Sequence, residues 1–179
     1  MADPGLLQHS TQSAAFATDW EVEQTPGTAS GRPSAPLIAV VGFDGSEPAK
    51  RALESAARLV HDRDGHLEVV YVAHAPATAA MTPMAMGEIE SAFDDLELLL
   101  GHEVRNRLAS TEPRWHFRRR DGAVAHELIA VGDELRRQNG PQATIVLIVG
   151  GSSHKPHRLL GSVSSNLERV DRFPVVVVP

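Results

Sequence analysis

Two glycine-bearing stretches hold residue types able to grip an anion. The longer one, Gly150-Gly151-Ser152-Ser153-His154-Lys155-Pro156-His157-Arg158-Leu159-Leu160-Gly161-Ser162-Val163-Ser164, leaves an apolar run and re-enters a helical pattern at Gly161-Ser162. Backbone N–H groups at a helix start point toward an anion, and the helix dipole reinforces them. Small residues leave room for phosphates. Ser162 and Ser164 add hydroxyl donors, and Lys155 and Arg158 bring positive charge to an otherwise acidic chain. The shorter stretch is Gly42-Phe43-Asp44-Gly45-Ser46, where glycine permits tight turning and Asp44 can accept from a hydroxyl or help orient a metal-bound phosphate. An alternative stays open: Asp44 and Ser46 stabilise the turn and cap the helix that follows.

Several chemistries drop out. The chain has no cysteine, which removes disulfides, thiolate zinc sites and cysteine nucleophiles. The long loop lacks the Gly-Lys-Ser/Thr of a Walker loop, and no G-x-G-x-x-G follows the first strand. No Gly-x-Ser-x-Gly elbow accompanies His126, which argues against a serine hydrolase. An adenylating or pyrophosphatase enzyme would want a Ser-Gly-Gly-x-Asp-Ser loop after the first strand, and Gly42–Ser46 does not supply one. His154 and His157 lie three apart, but no carboxylate in their loop completes a metal ligand set.

The elements that must position these loops alternate in type. Five segments read as strands: apolar runs at Leu37–Gly42, Leu67–Ala73, Thr144–Val149 and Val175–Val178, and an alternating, less buried one at Trp115–Arg120. Helical spacing separates them. Ala49, Ala52, Leu53, Ala56 and Val60 mark the first helix, with Ser46 as N-cap and Pro48 in its first turn. Ile89, Phe93, Leu96, Leu100, Val104 and Leu108 mark a long second one. Ala125, Leu128, Ile129 and Leu135 mark the third, and Leu160, Val163, Leu167 and Val170 the fourth. This order predicts a single α/β domain: an open doubly wound five-stranded parallel sheet with helices on both faces. Ligands of such sheets sit beyond the C-terminal strand ends, where strand order reverses.

Residues 1 to 35, rich in Ala, Thr, Ser, Gly, Pro and Gln, read as a flexible tail, with Phe16 and Trp20 the side chains able to dock; the domain covers 36 to 179. Met1 to Ser10 lacks a basic region followed by an apolar stretch, and no apolar run approaches the ~20 residues needed to span a bilayer, so a cytoplasmic location without membrane contact is expected. A net charge of -6 opposes nucleic-acid binding. The run Arg118-Arg119-Arg120 is the main local exception and reads as a solvated strand end. Tyr71, Met81, Met84 and Met86 read as packing groups or a cover over the second strand. The short last strand, flanked by prolines, belongs at a sheet edge, where pairing with a second copy would protect it.

Val40 to Pro48, Glu68 to His74, the Asp121-Gly122 turn, Val149-Gly150 through Gly161-Ser162-Val163-Ser164, and Phe173-Pro174 with the valines after it together resemble the universal stress protein family, in the right order over about residues 36 to 179. The resemblance implies a fold of the adenine nucleotide alpha hydrolase type and dimerisation through the last strand. It implies a ligand too, ATP with Mg2+ or another adenine nucleotide. On that likeness Asp44 matches a ribose-contacting acid and Val72 a small apolar residue against adenine. Gly150 matches the first loop glycine, and Gly161, Ser162 and Val163 match the triphosphate-binding end. The family's ATP binders carry Gly, two residues, Gly, nine residues, then Gly-Ser or Gly-Thr. Here Ser153 stands at the middle glycine, and the stretch between Gly150 and Gly161 is two residues shorter than that pattern.

The function implied is a stress-response dimer that binds an adenine nucleotide as a sensor or signal, with at most weak ATP hydrolysis. Fast hydrolysis would need a positioned water, a metal and transition-state cations, and only Asp44 and Arg158 offer themselves. The alternative is a dimeric interaction module of the same family that binds no nucleotide.

Overall fold

The computed structural model describes residues 36–63, 65–74, 83–110, 113–151, 163, 166–167 and 171–179. The elements run β1 (Leu37–Gly42), α1 (Glu47–His61), β2 (His66–Ala73), α2 (Pro83–Leu108), β3 (Arg114–Asp121), α3 (Val124–Asn139), β4 (Thr144–Gly150) and β5 (Val175–Val178). Backbone at Val163, Asn166 and Leu167 is helical, within the expected fourth helix. Phe16, Trp20 and Met81 lie outside the described residues.

All strands pair in parallel, in the order β3-β2-β1-β4-β5. The chain steps outward from β1 to β3, then returns to β4 on the other side of β1. Strand order therefore reverses between β1 and β4, which makes that gap the switch point of the sheet. β1 is apolar at every position because both of its faces are covered. Ala39 and Val41 join a core with α1 and α2, whereas Ile38 and Val40 join a second core with α3.

Local chemistry explains where the helices begin and how closely they pack. Ser46 caps α1, its Oγ accepting from the Ala49 N–H at 3.3 Å, with Pro48 in the first turn. The buried face of α1 is rich in alanine (Ala49, Ala52, Ala56, Ala57), so its backbone lies close to the sheet. Leu128, Val131 and Leu135 of α3 fill the opposite face, joined there by Leu167. Gly132 faces Phe173, and a Cβ at this glycine would stand 2.8 Å from the ring.

Two expectations change. Leu96 belongs to the predicted inward stripe of α2 but is exposed, as are Leu98 and Leu99; only Leu100, Val104 and Leu108 are buried, because α2 engages the sheet chiefly through its C-terminal half. The arginine run of β3 is no solvated strand end. Arg119 is only 11% exposed and pairs with Asp94 at 2.7 Å, Asp121 at 2.9 Å and Glu90 at 3.0 Å. Its guanidinium also lies over the Phe93 ring. On the other face Arg118 pairs with Glu68 and Glu134, and Arg120 with Glu134. Tyr71 packs in the core as expected, whereas Met86 is exposed.

Candidate functional site

The C-terminal ends of β1, β2 and β4 meet around the switch point. Gly42 stands opposite Val70 in the parallel register, so the turn bearing Asp44 leaves β1 next to the end of β2 that carries Val72. Val41 stands opposite Ile148, which brings Gly150 beside the start of the β1–α1 turn. Asp44, Val72 and Gly150 thus converge on one edge of the sheet, as a ligand bridging the switch point requires.

The β1–α1 turn is held from three directions. The Phe43 N–H donates to the Val70 carbonyl at 2.9 Å, and the Ser46 N–H donates to Asp44 Oδ1 at 3.0 Å. Gly45 has φ of +78°, and a Cβ there would stand 2.7 Å from Leu100 of α2. The turn reading of Asp44 holds, with one carboxylate oxygen closing the turn while the side chain stays exposed. Lys50, one turn into α1, is taken up by Glu47 at 2.9 Å and Glu103 at 3.1 Å. The hydrogen bond with Glu47 is the main influence holding the Lys50 ammonium above its ordinary range and the Glu47 carboxyl below its own.

Gly150 reveals a constraint that its place in a phosphate-loop pattern did not suggest. A Cβ there would meet the backbone of α1, 2.5 Å from the Pro48 carbonyl carbon and 2.7 Å from the Ala49 nitrogen. Glycine at 150 thus allows β4 to end directly against the first turn of α1, whose N-terminal dipole favours negative charge at that edge. The chain beyond is tied to the edge strand, with the Gly151 N–H donating to the Val178 carbonyl at 2.7 Å. Val72 and Val163 are half-buried and pack against the second core. Ser153, Gly161 and Ser162, with His154, Lys155, His157 and Arg158, lie outside the described residues. Among the described residues no three acidic or histidine side chains gather into a metal-holding group.

One residue of this edge escaped sequence reasoning. His74, two positions beyond Val72, shares its Nδ1 with the Gly122 carbonyl at 2.9 Å, while the Gly122 N–H donates to the Ala73 carbonyl at 3.1 Å. The available signal was the two-residue alternation of β2 carried one step past the strand end.

The universal stress protein family pattern matches residues 38–179. This chain belongs to the universal stress protein family. Its fold has counterparts among solved structures. UspA of Lactobacillus plantarum superposes with a TM-score of 0.64 at 19% identity, over 81% of this chain and 99% of its own. A universal stress protein in complex with cAMP gives 0.59 at 24% identity, over 82% and 99%. An Arabidopsis thaliana family protein with AMP bound gives 0.51 at 16% identity, over 80% and 91%. At these identities the likeness shows the family's fold. No curated protein matches the chain significantly. Among the described residues no helix is long and apolar enough to cross a membrane.

Proposed function

We propose that this universal stress protein binds an adenine nucleotide across its switch point and signals as a homodimer. The observation carrying this reading is the convergence of Asp44, Val72 and Gly150 at neighbouring strand ends. In it the free oxygen of Asp44 takes the ribose hydroxyls, Val72 packs against the base, and Gly150 starts the loop that leads to Ser153, Gly161, Ser162 and Val163 around the phosphates. Members of the same fold solved with cAMP and with AMP support an adenine ligand. ATP with Mg2+ is the fullest form of that ligand. Mg2+ would enter with the ATP phosphates and keep several of its own waters.

Hydrolysis is at most weak in this reading, and the site serves to sense nucleotide rather than turn it over. Residues 36–179 act as the nucleotide-binding domain, in the cytoplasm, with 1–35 as an appended tail. The dimer forms through β5, whose Val176 is 42% exposed on an edge strand. Titration calorimetry with AMP and with ATP plus Mg2+ tests the site, backed by mass spectrometry of ligand released from denatured protein. Micromolar binding that Asp44→Asn weakens about tenfold is the expected result, because asparagine keeps the acceptor for the Ser46 N–H and removes only the charge offered to ribose. Absence of binding to folded protein would favour the second reading, a nucleotide-free dimeric interaction module, for which the shortened loop with Ser153 at its middle glycine speaks.

A further inference from the structure

His74 stands at the rim of this strand-end edge, and a single contact fixes the orientation of its ring. Its Nδ1 lies 2.9 Å from the Gly122 carbonyl oxygen. A carbonyl only accepts, so the hydrogen of the neutral ring must reside on Nδ1, which leaves Nε2 as a bare acceptor. The carbonyl it meets is itself held in place. Gly122 takes φ of +143° and donates its N–H to the Ala73 carbonyl at 3.1 Å, so two bonds clamp the end of β2 to the β3–α3 turn.

Direction follows from the same contact. The two nitrogens of an imidazole point to nearly opposite sides of the ring, so with Nδ1 turned toward the turn after β3, the Nε2 lone pair faces away from it. In the strand order, β1 with Asp44 lies on the other side of β2 from β3. His74 directly follows β2, two residues beyond Val72. The side chain is exposed, so its outer nitrogen is open to a ligand.

We infer that His74 is a base-specificity residue: its Nε2 accepts a hydrogen bond from the 6-amino group of a purine packed on Val72, and so selects 6-amino over 6-oxo purines. A 6-oxo group would set one lone pair against another, with the ring's single hydrogen already committed to Gly122. This rests on the nucleotide reading above and adds the feature of the base that is read.

The test is calorimetric titration of AMP and of IMP into the wild-type protein, His74→Asn and His74→Ala. Asparagine separates recognition from support, because its amide nitrogen sits one bond from Cγ like Nδ1 and keeps the bond to Gly122, while its oxygen stops short of the Nε2 position. The wild type is expected to prefer AMP by about tenfold, and both variants to lose most of that ratio. A purely supporting role would instead weaken AMP and IMP equally in His74→Ala and spare both in His74→Asn, which overturns the inference. AMP binding with an unchanged ratio in His74→Asn overturns it while leaving the nucleotide site intact. Failure of the folded wild-type protein to bind either compound overturns the site and this inference together.

Discussion

The two halves of the sheet are built on different principles. Around β1 and β4 both faces are apolar, with Ile38, Val40, Val41, Leu147 and Ile148 in contact with helices and withdrawn from solvent. Around β2 and β3 one face carries Trp115 and Phe117 with the ion-paired Arg119 beyond them, and the other carries Glu68, His116, Arg118 and Arg120, reached by Glu134 of α3. Glu68 is 2% exposed and lies 2.9 Å from His116 Nδ1, with Arg118 beside it. The candidate site straddles the two halves, with Gly150 ending β4 and Asp44 following β1 in the dry half, where apolar packing is indifferent to pH and salt, and with Val72 and His74 at the end of β2. The outer half exchanges that indifference for a network whose members must all be present.

That contrast is open to attack from several sides. Removing the carboxylate should have the largest effect, because Glu68 is the buried partner shared by Arg118 and His116: Glu68→Ala is expected to cost about 4 kcal/mol in urea unfolding. Leu53→Ala in the dry half leaves a cavity at a fully buried position and should cost about 3 kcal/mol. The two should differ in their response to salt, with only the Glu68 variant changing its deficit between low and high ionic strength; identical salt response would erase the distinction drawn here. Next comes the cap, since Ser46→Ala removes the acceptor for the Ala49 N–H and should cost about 1 kcal/mol.

A pH effect is expected in the outer half. Burial, partly opposed by Glu68, holds the His66 imidazole below its ordinary value. As pH falls below about 6.5 the unfolded chain takes up the proton first, so this contribution to stability is present above that range and lost beneath it. Urea midpoints at pH 7.5 and 5.5 should therefore drop less in His66→Gln than in the wild-type protein. Least of all should Leu99→Gln matter: at 63% exposure the change is expected to stay within about 0.5 kcal/mol, and a large loss would mean that this side of α2 is covered.

Much of the fold was legible because the signals are local. Short apolar runs marked four strands and alternation marked the third, Trp115–Arg120, while Ser46 with Pro48 marked the start of α1, since capping involves neighbours in sequence. Leu96 misled because helical spacing shows which face is apolar but not how far along its length the helix meets a sheet. The arginine run misled for a related reason. Charge in sequence looks solvated until partners from β2, α2 and α3 are placed around it. For the site, Asp44, Val72 and Gly150 were readable as residues at strand ends, whereas His74 needed the Gly122 carbonyl, which comes from a turn 48 positions away.

By itself the sequence determined the α/β alternation, the strands and the residues eligible for an anion or a ribose, because periodicity, capping and glycine content are properties of short segments. Only the tertiary structure decided that β4 returns beside β1, that glycine at 150 is needed against Pro48, and that Glu68 is buried among cations. Those outcomes depend on which distant segments come within a few ångströms of one another, and no spacing along the chain encodes that distance.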